Sequence, residues 1–192
     1  ESTVFLVLKL NQEPEGKAFL KLGDLVICDN LITTSSIEIP VEYKKDEPSI
    51  ISIQHRKNKK YGRISTDELL IGDSSLFSIA ELIIYPSILN RVELRKVNTY
   101  LALKYSIPIT HNEEKEWTDY WTCDDQFYWN KKADFIFDQQ VIGLGRSDKQ
   151  LFYQSQTTTN IRDTLVVSIG DTLPIGDMPE SDIADDSFII FS

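Results

Sequence analysis

From the N-terminus, apolar residues come in short runs broken by polar punctuation. Val4–Leu10, Ala18–Leu22 and Leu25–Cys28 are apolar or β-branched, separated by the stretch from Asn11 to Gly16 and by Gly23-Asp24. That pattern predicts strands joined by turns. Ser36–Ile39 ends at Pro40, Ser49–His55 carries Ile50, Ile51 and Ile53, and Leu69–Ile71 and Ile79–Tyr85 complete a first set. Lys57-Asn58-Lys59-Lys60 suits a hairpin loop, because asparagine tolerates positive φ. Short strands at this spacing predict a sandwich or jelly roll. The period then changes. Leu94, Val97, Leu101 and Tyr105 recur at helical spacing, with Arg91, Arg95 and Lys96 on other faces. Asn90 is placed to cap this segment, Glu93 completes a capping box and Pro108 follows its end, so a helix is predicted over 90–105. Beyond it, Phe135–Phe137, Val141–Leu144, Leu151–Gln156, Thr164–Ile169 and Ser187–Phe191 again read as strands. Gly143-Leu144-Gly145-Arg146-Ser147-Asp148-Lys149 and Gly170-Asp171 read as turns.

Composition supports a packed protein and narrows its partners. The 192 residues suit one large domain or two small ones, and a hydrophobic fraction of 41% is enough for a core. A net charge of −10 argues against nucleic acid and against a general attraction to anionic lipid. That charge is unevenly placed. Residues 1–110 carry 14 basic and 14 acidic side chains, whereas residues 111–192 carry 6 and 16. The shift falls at Ile107-Pro108-Ile109-Thr110-His111-Asn112 and predicts a sandwich module with a terminal helix over 1–110, then an acidic β module over 111–192. No apolar run approaches the roughly 20 residues of a membrane span. Strand-like residues at both ends, with Glu1 first, suggest a piece of a longer polypeptide whose other domains are expected partners. Cys28 and Cys123 are too few for a disulfide scaffold or a Cys-based zinc site. Two separate buried thiols are the favoured expectation, with a single bridge as the alternative.

Candidate chemistry is sparse. Only His55 and His111 could act as histidine bases, and no Gly-x-Ser-x-Gly elbow occurs, which argues against a nucleophilic hydrolase. Glycoside hydrolysis needs two carboxylates flanking a bond. Glu38 and Glu42 straddle Pro40, and adjacent Asp67 and Glu68 would point to opposite faces of a strand, so solvated carboxylates are the better reading. Asp124-Asp125 and the group Asp182, Asp185 and Asp186 lack the order of an EF-type calcium loop. Gly143-x-Gly145 lacks the third glycine of a dinucleotide fingerprint and is better read as a hairpin turn. The basic run from His55 to Arg63 reads as a solvated hairpin tip rather than a phosphate grip. The aromatic cluster is the strongest candidate. Trp117, Tyr120, Trp121, Phe127, Tyr128 and Trp129 lie within 13 residues and include all 3 tryptophans. Sugar rings pack C–H faces on such planes, and Asp119, Asp124, Asp125 and Asn130 could bond hydroxyls. The competing reading is that the same rings form a core.

Ile79-Ala80-Glu81-Leu82-Ile83-Ile84-Tyr85, followed by a helix ending Thr99-Tyr100-Leu101-Ala102-Leu103-Lys104-Tyr105-Ser106-Ile107, resembles the end of laminin-G-like (concanavalin A-like) jelly-roll domains in surface and secreted proteins of the Bacteroidota. Ile142-Gly143-Leu144-Gly145-Arg146-Ser147-Asp148, the pair Gln154-Ser155, Trp129 and Leu165-Val166-Val167-Ser168-Ile169-Gly170 resemble the β module that follows in those proteins. The resemblance covers roughly residues 66–192. Ser147 stands where that module has an aspartate, and Ser106 where it has a glycine after the helix. About 85 residues precede the helix, fewer than a full jelly roll of this type, so N-terminal strands are missing or the fold is abbreviated. The resemblance implies a surface or secreted adhesion module with no shared catalytic residues, and such folds often hold calcium.

The expectation is therefore a mostly β protein: a jelly-roll-like sandwich, one helix near 90–105, and a smaller β module. Its expected role is non-catalytic carbohydrate binding or adhesion, at an extracellular or cell-surface location. Trp117, Tyr120, Trp121 and Tyr128 are the ligand-binding candidates, and a glycan or surface protein is the expected partner. No cofactor is expected, with calcium as an open alternative. A glycoside-hydrolase fragment and a purely structural spacer remain the other readings.

Overall fold

The computed structural model describes residues 1–56, 69–72, 76–109, 119–129, 141–150, 152–159, 165–169 and 183–191, leaving aside the side chains of residues 127–129 and 150. The hairpin loop expected at Lys57–Lys60, the strand expected at Phe135–Phe137, the turn at Gly170-Asp171, and Trp117, Asp182 and His111 lie outside these residues. The protein is mostly β, with one α-helix and several antiparallel sheets among the described residues. It divides into two compact units, Glu1–Leu89 and Asn90–Ser192.

The first unit is a sandwich. Its strands are β1 (Ser2–Leu10), β2 (Ala18–Leu22), β3 (Leu25–Cys28), β4 (Leu31–Thr33), β5 (Glu38–Pro40), β6 (Pro48–His55), β7 (Leu69–Ile71) and β8 (Phe77–Tyr85). One sheet has the order β6-β1-β8 and the other β5-β4-β3-β2-β7, antiparallel throughout. Pairing β1 with β8 in one sheet and β2 with β7 in the other nests the chain in the manner of a jelly roll. Between the sheets lie Val4, Leu6, Leu8 and Leu10 of β1, with Phe19, Leu20, Leu25, Ile27, Ile51 and Phe77. The alternation in β1 supplies that face by the two-residue strand period. A register shift between Ala18 and Leu20 turns both Phe19 and Leu20 inward. Gly23 opens the β2–β3 hairpin with φ 63°, the sign a type II′ turn requires. The wider sheet overhangs the narrower one. Ile39 and Ile71 pair with inward-facing Ile32 and Leu20, yet are 52% and 56% exposed. Pro40 is the last residue of the edge strand β5, where an edge tolerates the missing N–H.

The second unit is built on α1 (Arg91–Tyr105), with β9 (Tyr120–Trp121), β10 (Phe127–Trp129), β11 (Ile142–Ser147), β12 (Phe152–Gln154), β13 (Gln156–Thr158), β14 (Val166–Ser168) and β15 (Ser187–Phe191). The sheets are β10-β9, β12-β11-β15 and β13-β14. The expected capping box is present: Asn90 Oδ1 accepts from the Val92 and Glu93 N–H groups, and Glu93 accepts from the Asn90 N–H. Ser106 ends the helix in the left-handed region at φ 54°, where glycine would be unstrained. Thr99, Leu101, Ala102 and Leu103 are buried, and the helix packs on β9 and β11.

Two expectations are corrected. The units divide between Leu89 and Asn90, not at 110/111, so the helix belongs with the second unit. The first unit is tied off just before it. The Leu89 N–H donates to Thr3 Oγ1, Thr3 donates to the Ser87 carbonyl, and the Gln54 amide donates to the Leu89 carbonyl. Second, Gly143 to Ser147 is not a turn but strand β11, and the reversal falls in a 3₁₀ turn at Asp148–Gln150. The glycines serve close packing: a Cβ at Gly143 would lie 3.0 Å from Leu103 Cδ2, and one at Gly145 would overlap the Phe188 ring.

Candidate functional site

The face of α1 carrying Val92, Lys96 and Thr99, spaced i, i+4 and i+7, organises the aromatic cluster. Buried Thr99 Oγ1 accepts the Trp121 N–H at 2.9 Å and so sets the height of β9 on the helix. Lys96 Nζ donates to the Cys123 carbonyl at 2.5 Å and pairs with Asp125 Oδ1 at 2.9 Å. The connection from β9 to β10 is pinned by Thr122, whose Oγ1 accepts the Asp124 and Gln126 N–H groups. Asp125 takes φ 62° there, a conformation in which aspartate is better tolerated than most residues.

These contacts leave an open depression of about 610 Å³ lined by Asn90, Val92, Glu93, Lys96, Trp121 and Asp125. Trp121 is half-buried. The Arg95 guanidinium lies 5.3 Å from its ring centre, within cation–π range. Of the two ligand-binding candidates whose side chains are described, Tyr120 and Trp121, the second is placed in this lining. Tyr120 is corrected to a core residue: it is 2% exposed, and its hydroxyl accepts the Ile109 N–H at 3.2 Å. The alternation of adjacent strand residues explains the split, because Tyr120 and Trp121 must face opposite ways. Trp117 lies outside the described residues, as does the side chain of Tyr128 in β10. Sequence reading missed Asn90, Glu93 and Lys96, whose helix positions read only as capping and solvated charge.

A second polar group lies at the end of β11. Cys123, Asp124 and Asp186 each bring one ligand atom within 4.8 Å of the others. Buried Ser147 donates to Asp186 at 3.3 Å. Lys149 Nζ sits 2.7 Å from Asp124, and its hydrogen bond and charge hold that carboxyl below the usual range. Asp185 accepts from the Asp148 and Asp186 N–H groups. A thiol beside a carboxylate that already has its ammonium is not the all-oxygen shell calcium takes. Arg146 bonds Asp148 through Nε and a terminal nitrogen at 2.7 and 2.8 Å. The pair Gln154-Ser155 is structural: the Gln154 amide donates to the carbonyls of Leu103 and Gly143. In the first unit, His55 is drawn back to Asp24 rather than presented to a ligand. Both cysteines are free thiols, and burial with the nearby Asp29 charge pushes the Cys28 thiol up.

A family model described as a domain of unknown function, DUF8202, matches residues 93–192. No curated protein and no solved structure shows a match to the chain. The matched span begins in the first turn of α1 and takes in all but the first three residues of the second compact unit, with Glu93, Lys96, Trp121 and Asp125 of the depression inside it and Asn90 and Val92 just before it. Since it takes in more than half of the 192 residues, the chain belongs to the DUF8202 family.

Proposed function

We propose that the chain is a non-catalytic carbohydrate-binding or adhesion module of a larger secreted or cell-surface protein, with the Trp121 depression as its contact site. The observation that carries this reading is a half-buried tryptophan in an open depression whose described lining pairs it with Val92 and four polar side chains. An indole offers an apolar plane for a sugar's C–H face, while Glu93 and Asp125 supply oxygens for its hydroxyls. The sandwich in the first unit and the laminin-G-like resemblance point the same way. Hydrolysis would need two carboxylates free to act as acid and base. Here Glu93 is committed to the Asn90 N–H at 2.7 Å and Asp125 to Lys96 at 2.9 Å, which favours binding over chemistry.

The test is a glycan array probed with the full chain and with Trp117→Ala and Trp121→Ala. Binding that is lost in Trp121→Ala supports the reading. An array with no bound glycan, or one unchanged by both variants, overturns it.

A further inference from the structure

The lining of the depression has a charge bias that bears on which sugar it takes. Its described lining residues include two carboxylates, Glu93 and Asp125, and one ammonium, Lys96. The ammonium is engaged within the protein, held between the Cys123 carbonyl and Asp125 Oδ1. Each carboxylate gives one oxygen to the fold: Glu93 Oε2 accepts the Asn90 N–H, and Asp125 Oδ1 faces Lys96. Glu93 Oε1 and Asp125 Oδ2 have no protein donor among the described residues, so the described lining offers a ligand acceptors and net negative charge. The surrounding unit strengthens the bias, since residues 90–192 carry 17 acidic and 10 basic side chains.

Building on the binding site proposed above, we infer that the ligand is an amino sugar carrying a free ammonium group, laid on Trp121 and bonded through that ammonium to Glu93 and Asp125. Arg95 decides how the roles divide. Its guanidinium lies over the Trp121 ring and is not among the described lining residues. A cation already on the ring weakens the pull of the π face on a second cation. The indole then serves as an apolar floor, and selection for charge falls to the two carboxylates. An ammonium donates three charge-assisted hydrogen bonds, each roughly twice as strong as one from a neutral hydroxyl. A pyranose also suits an open depression better than an extended lysine side chain, because it covers an indole face with a rigid ring.

The test measures binding of the full chain to glucosamine oligomers, to their N-acetylated counterparts and to a lysine-bearing peptide, in buffer acidic enough to keep the sugar amine protonated. The free-amine oligomer should bind about tenfold tighter than the acetylated one, a difference of about 1.4 kcal/mol. Asp125→Asn and Glu93→Gln should each remove most of that preference and leave the weaker acetylated binding in place. Glutamine at 93 keeps the capping box, so unchanged helical circular dichroism separates a lost contact from a lost fold. Lys96→Gln should strengthen amino-sugar binding by removing the competing cation. Equal affinity for both oligomers with Trp121-dependent binding retained overturns this inference and leaves the carbohydrate-binding reading standing. The same inference falls if the peptide binds more tightly than the amino sugar. No binding of any sugar overturns both.

Discussion

Phe188 occupies the space that a side chain at position 145 would need. A Cβ on Gly145 would lie 2.7 Å from the Ser187 carbonyl oxygen and overlap the Phe188 ring, which itself stacks on Phe152 at 5.8 Å. Backbone on one side and a ring held in a stack on the other leave little room to relax. Gly145→Ala should therefore cost about 2 kcal/mol, read as a lower urea midpoint at unchanged slope. Gly143→Ala meets the more mobile end of Leu103 at 3.0 Å and should cost less. Equal tolerance of both substitutions would contradict this packing.

The same two glycines show where local pattern reading stops. A Gly-x-Gly stretch looks like a turn because glycine favours turns, but its other use, close approach of another segment, depends on partners 40 residues away and leaves no local signal. The strands of the sandwich were legible because their apolar alternation matches a core face, as in Val4, Leu6 and Leu8. Strands β4 and β9 were too short to carry a pattern. The helix and its capping box were legible from Asn90 and Glu93, since caps are local. The unit boundary was misplaced because α1 carries Arg91, Arg95, Lys96 and Lys104 against Glu93 alone, so it looked foreign to the acidic segment after it. Those cations are what the acidic segment uses: Lys96 holds Asp125, and Arg95 lies over Trp121. The cluster around Trp121 could be suspected as a group. Which ring faces outward depended on strand register.

Asp29 gathers the loop before β2. Its Oδ1 accepts the Gly16 and Lys17 N–H groups at 2.7 and 3.1 Å, and its Oδ2 accepts that of Glu15 at 2.9 Å. The residue is 7% exposed, so these donors have little water to turn to. Asp29→Ala should destabilise the chain by about 2–3 kcal/mol and speed hydrogen exchange at the Gly16 amide. Asp29→Asn should cost less, because its carbonyl can still serve two donors while its NH₂ opposes the third. An unchanged Gly16 exchange rate in the alanine variant would show that the loop is held by something else.

The two sheets of the sandwich are also joined by a polar contact at one end. His55 Nε2 of β6 lies 3.0 Å from Asp24 Oδ1 in the β2–β3 turn, and Ser35 donates to Asp24 Oδ2 at 2.9 Å. Burial opposes ionisation of Asp24, but the Ser35 hydrogen bond and the His55 charge outweigh it and hold the carboxyl below its usual value. A lowered carboxylate contributes stability that is complete above its unfolded value of about 4 and lost as pH falls through the folded one. Between about pH 6 and pH 3 the chain should therefore lose more stability than Asp24→Asn does. Parallel urea titrations at the two pH values measure this, and equal losses in both proteins would remove Asp24 from the acid response.

Tyr43 poses the opposite problem. Its ring packs edge-on against Phe19 in the sandwich core, at 6.3 Å between centroids, while its hydroxyl is buried with no hydrogen-bond partner among the described residues. Burial, with the Cys28 thiol close by, drives the phenol well above its ordinary range. A buried hydroxyl that has given up water and gained nothing is a net cost, on the order of 1 kcal/mol. Tyr43→Phe keeps the ring and removes that cost. Its melting temperature should equal or exceed that of the unaltered chain, whereas Tyr43→Ala, which empties the ring's place, should fall by several kcal/mol (~3–5). A clear loss of stability in the phenylalanine variant would mean that the hydroxyl is satisfied after all, most simply by a buried water.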